Sequence, residues 1–97
     1  MVNNNVPLDG PHETFHANGR LSSRKNYKDG ELEGLCETYF ENGQLKSKWS
    51  LKDGEGDGPF ETYFKNGQLR SKVNFQDGQE EGRAEYYSAN GTLIPKD

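Results

Sequence analysis

Three places in this chain carry residue types that can do chemistry. His12 and His16 stand four apart, Cys36 is the single thiol, and Asp53-Gly-Glu-Gly-Asp-Gly58 alternates carboxylates with glycines. Two imidazoles could share a metal ion, but four residues along a strand span about 13 Å, too far for one ion to bridge. The acidic run starts like a calcium loop. Its twelfth position is Phe64, where a bidentate carboxylate is required. A nucleophilic Cys36 needs a base held beside it, and the corresponding positions in the sister segments, His12, Phe60 and Ala84, mark a place for filler. Asn90-Gly-Thr92 fits a glycosylation sequon, yet an Asn-Gly pair stands at that place in every segment, which makes it turn chemistry. No catalytic residue, metal or cofactor is therefore expected.

A second set suits contact better than catalysis. Phe15, Tyr39, Tyr63 and Tyr87 recur in step, with Glu37, Glu61, Lys46 and Arg70 beside them. Tyr and Arg are prominent in the centres of protein interfaces, although the same row also stabilises a sheet through cross-strand pairs. Trp49 is the one large residue on the opposite, apolar face that could anchor a partner.

What positions these residues is a repeat. Gly10, Gly34, Gly58 and Gly82 are spaced 24 apart, and each opens the same outline. The units run 10–33, 34–57, 58–81 and 82–97 in a single domain of 97 residues, after a lead-in at 1–9. Each unit reads as two short strands and two turns. Glu-Thr-Tyr-Phe runs into Asn-Gly, a strong hairpin signal whose two residues accept the positive φ of a type I′ turn. Leu45 to Leu51, or Leu69 to Phe75, forms the returning strand, and Asp-Gly leads onward. No helical period appears. The expected fold is all-β, a meandering antiparallel sheet of stacked 24-residue hairpins.

Counting outward from a two-residue Asn-Gly loop places Phe40 opposite Leu45, Thr38 opposite Ser47 and Cys36 opposite Trp49. The next unit places Phe64 with Leu69, Thr62 with Ser71 and Phe60 with Val73, and Leu51 and Phe75 share that face. On the other face Glu37 meets Lys48, Glu61 meets Lys72, Tyr39 lies beside Lys46 and Tyr63 beside Arg70. The apolar face calls for a second layer, supplied by the sheet curling on itself, a second copy or a partner. The outer units read as ends: His12, His16 and Lys25 replace Cys36, Phe40 and Trp49, and Ile94-Pro95 interrupts the last strand.

Composition limits the options. Apolar residues make up 29% of the chain, against the ~45–50% usual for a globular domain. A net charge of only -4 and the confinement of aromatics to strand segments argue for a folded, lightly cored protein. The acidic balance counts against nucleic acid and anionic membranes as partners, because both select basic surfaces. With one cysteine there is no internal disulfide, and Met1-Val-Asn-Asn-Asn does not resemble a signal peptide. A cytoplasmic location is expected.

The run from Gly58 through Glu-Thr-Tyr-Phe and Asn-Gly-Gln-Leu to Asp77-Gly78 resembles the variant MORN repeat of bacterial proteins, and more narrowly the YwqK-like antitoxin family. The resemblance covers residues 10–94. It implies a sheet of stacked hairpins and a role in binding and neutralising a toxin protein by direct contact. It also admits a structural or scaffold role, through self-association as a homo-oligomer or membrane-associated assembly. The expectation is thus a non-enzymatic protein-binding module, an antitoxin or immunity protein, with the tyrosine row, Glu37, Glu61, Lys46, Arg70 and Trp49 as its contact residues.

Overall fold

The computed structural model describes residues 9–95. Nine strands follow one another: β1 (Gly10–Phe15), β2 (Leu21–Lys28), β3 (Glu31–Leu32), β4 (Gly34–Tyr39), β5 (Leu45–Lys52), β6 (Glu55–Tyr63), β7 (Leu69–Gln76), β8 (Gln79–Tyr87) and β9 (Leu93–Ile94). They form one antiparallel meander in chain order, with β3 pairing only the end of β2. β3 and β4 together correspond to the unbroken β6 and β8. The molecule is a thin slab of 55 × 36 × 16 Å, the thickness of a single sheet with its side chains.

The two kinds of corner are built differently. At the Asp-Gly corners both residues are left-handed: Asp29, Asp53 and Asp77 have φ of 53°, followed by Gly30, Gly54 and Gly78 at 84°, 80° and 81°. Lys52 then pairs Glu55 directly, as a two-residue type I′ hairpin requires. At the Asn-Gly corners only glycine is left-handed, with φ of 91° at Gly43 and 90° at Gly67. Here Gly43 N–H donates to Phe40 O at 2.9 Å and Phe40 N–H to Gln44 O at 2.8 Å, closing a three-residue loop. The type I′ geometry expected at Asn-Gly is found at Asp-Gly instead.

That extra loop residue corrects part of the expected register. Cys36–Trp49, Glu37–Lys48 and Thr38–Ser47 are opposed as expected, but a bulge at Lys46 then brings Tyr39, not Phe40, opposite Leu45. The same step in the next unit opposes Tyr63, not Phe64, to Leu69, after Phe60–Val73 and Thr62–Ser71. Lys46 accordingly lies over the Phe40 ring, 5.8 Å from its centroid, and is not the residue opposed to Tyr39. Arg70 is the bulged residue of the following hairpin, so it is not opposed to Tyr63 either.

The core is small. Cys36 (8% exposed) and Leu51 (5%) are its buried apolar side chains, with Gly56 buried next to Leu51 on the facing strand. Trp49 bridges the middle units, its ring 5.0 Å from Phe60 and 5.9 Å from Phe75. The sheet does not curl back on itself, since β1 and β9 stay at opposite ends of the strand order. Among the described residues the apolar face is covered only by its own neighbours in the plane. In the first unit that face is polar, with His12 edge-on to Tyr27 at 5.3 Å.

Candidate protein-contact surface

The face opposite Trp49 carries one continuous row of charge. Following the register across the sheet, Glu13 stands opposite Arg24, Arg24 opposite Glu37, Glu37 opposite Lys48, Lys48 opposite Glu61, Glu61 opposite Lys72 and Lys72 opposite Glu85. Signs alternate over seven strands and end in a carboxylate at both sides. A period of one hairpin with Glu on the outgoing strand and Lys or Arg on the return makes this row inevitable once the sheet meanders.

The tyrosines stand two residues beyond each glutamate on the same face, and their hydroxyls reach back. Tyr39, Tyr63 and Tyr87 donate to Oε1 of Glu37, Glu61 and Glu85 at 3.1, 3.0 and 3.0 Å. Burial first, and then the hydrogen bond to its glutamate, raises the Tyr39 and Tyr63 hydroxyls above their usual pKa, because the phenolate would face a carboxylate. For Tyr87 the hydrogen bond to Glu85 comes first. Phe15 has no hydroxyl and is 61% exposed. In that unit Glu13 meets the Arg24 guanidinium instead, at 3.8 Å, the one ion pair among the described residues. The sequence pairs Glu37 and Glu61 with lysines; the register agrees, but their carboxylates are held by tyrosine.

Each asparagine corner is tied to the next. Asn18, Asn42 and Asn66 donate from Nδ2 to Glu41 O, Lys65 O and Ala89 O at 2.9, 3.0 and 2.9 Å. Their Oδ1 atoms accept the backbone N–H two residues on, at 2.9 Å for Asn42. Sequence reasoning saw the turn and missed this ladder. The available signal was Asn, never Asp, at every Gly19-type corner: only the amide has a donor.

The remaining candidates are accounted for locally. His16 Nε2 donates to Tyr39 O at 2.8 Å, at the side of an open groove of about 460 Å³ that Phe40, Lys46 and Lys65 also line. Asp53 forms the corner and its N–H donates to Glu33 Oε1 at 2.8 Å, while Glu55 to Gly58 are strand. Asn90 Oδ1 accepts the Thr92 N–H at 3.1 Å within its turn. Lys46 and Arg70 are exposed, and Trp49 sits on the other face from the tyrosine row.

A single sheet of tandem, register-locked hairpins defines a β-hairpin repeat protein. The chain belongs to the MORN repeat variant family, whose model matches residues 8–29, 32–53 and 56–77, more than half of the 97 residues. Each match ends at the aspartate of an Asp-Gly corner, and the unit from Gly82 lies outside them. No curated protein and no solved structure matches the chain.

Proposed function

We propose that this MORN-repeat chain is a non-enzymatic protein-binding module, a bacterial antitoxin or immunity protein that neutralises a toxin by direct contact. The observation that carries the reading is the tyrosine–glutamate row, already fixed by its own hydrogen bonds on one face of a single sheet. Rigid aromatics lose little freedom on binding, and alternating charge gives such a surface a register to read. Catalysis would need an acid, a base and a nucleophile converging on one point, which equivalent positions in a translated repeat do not provide. The YwqK resemblance supplies the toxin as partner class.

Co-expression with the product of the adjacent gene tests it. The reading requires that this chain relieve that product's toxicity and co-purify with it; neither relief nor a complex would contradict it. A scaffold reading through self-association is favoured by a different observation, the half-buried Phe60 and Phe75 beside Trp49 on a face that no second layer of the described residues covers. Sedimentation separates the two, because that reading requires a dimer of the chain alone.

A further inference from the structure

The hairpins of this sheet are joined to one another by a recurring quartet. Between β2 and β4 the paired residues are Ser23–Thr38 and Arg24–Glu37. Between β5 and β6 they are Ser47–Thr62 and Lys48–Glu61, continued by Trp49–Phe60 before the register breaks. Between β7 and β8 the cation and carboxylate recur as Lys72–Glu85, with Tyr86 in the threonine place opposite Ser71. Each Glu-Thr strand inside the sheet therefore has a Ser-Lys or Ser-Arg strand on both sides.

β1 is the exception. Glu13 and Thr14 face Arg24 and Ser23 on one side, and among the described residues no strand lies on the other. Such an edge offers unpaired backbone donors and acceptors to an added strand. Its side chains are exposed, and the neighbouring Phe15 is the most exposed of the large apolar residues described. Pro11 has no N–H to give, so an added strand has His12 to Phe15 to pair with.

We propose that the outer edge of β1 docks an extended basic segment of a partner protein. The segment's Ser/Thr-Lys/Arg pair takes the places beside Thr14 and Glu13 that Ser23 and Arg24 hold on the inner side. This deepens the protein-binding reading and rests on it. Charge argues for a foreign strand over a second copy. Two copies paired in register through their β1 edges would set Glu13 against Glu13, with no cation to answer either carboxylate.

The test is fluorescence anisotropy with a labelled eight-residue peptide carrying the sequence of residues 21–28, titrated with the full chain. Binding is expected, and replacing the arginine of the peptide by glutamate should weaken it about fivefold, the scale of one cross-strand charge pair. Glu13→Lys in the protein should reverse the preference towards the glutamate peptide, a gain that only a folded protein can give; Glu13→Gln should bind both peptides alike. N-methylation of alternate peptide amides should abolish binding. No binding, or binding indifferent to charge and to N-methylation, overturns the proposal. A dimer of the chain that Glu13→Lys dissociates would give the edge to a second copy and also overturn it. If the peptide fails while the adjacent gene's product still binds, the edge proposal falls and the broader reading stands.

Discussion

Trp49 and Gly56 fit together with no room between them: a Cβ built on Gly56 would lie 3.0 Å from the indole Nε1 and Cζ2. Gly56 is buried and has no positive φ, so glycine is needed there for space and not for backbone freedom. The Trp49 Nε1 donor is itself buried without a partner, so the ring is placed by packing alone. Gly56→Ala should cost about 1–3 kcal/mol through overpacking. In a Trp49→Phe background the same substitution should cost much less. A double-mutant cycle by denaturant unfolding checks the coupling.

The asparagine ladder gives a second expectation. Asn42→Ala removes the bond to Lys65 O and the cap on Gln44 N–H, each exposed, for a loss of about 1–2 kcal/mol together. Asn42→Asp keeps the cap and loses the donor, so it should recover roughly half. Thermal unfolding of the three proteins decides. Equal midpoints for Asp and Asn at this position would remove the ladder from the account.

Much of this architecture is legible in the residues. The 24-residue period, the turn pairs and the Thr–Ser and Glu–Lys alternation dictate a meander and its register as far as Thr38 and Thr62. The register fails one step later because Asn-Gly serves two loops equally well. Glycine alone in the left-handed region closes a three-residue loop, and only the backbone bonds of Phe40 and Gln44 reveal the choice. The tyrosine–glutamate bonds were hidden for another reason. Charge rules pair Glu37 with Lys48, whereas a phenol two residues away on the same strand reaches the carboxylate as well.

Those bonds predict a pH dependence. Tyr39 and Tyr63 have pKa values raised on folding, so the folded state favours the protonated phenol. Their contribution is complete below the ordinary tyrosine value of about 10 and is lost as pH rises through the higher folded value. Stability should therefore fall as pH rises from about 10 through that folded value, and the Tyr39→Phe/Tyr63→Phe protein should fall less steeply there. Urea midpoints measured between neutral and strongly alkaline pH test this. A fall of equal steepness in both proteins would assign the alkaline loss elsewhere.

The contact surface is tested most directly by calorimetric titration of the adjacent gene's product onto wild-type protein and onto Tyr39→Ser/Tyr63→Ser. Interface tyrosines of this kind carry roughly 2 kcal/mol or more each, so the loss of even one such contribution in the double variant should weaken binding at least about 30-fold. Its thermal transition must remain cooperative for the comparison to hold. Undiminished affinity in a folded double variant would contradict the assignment of this face as the binding surface.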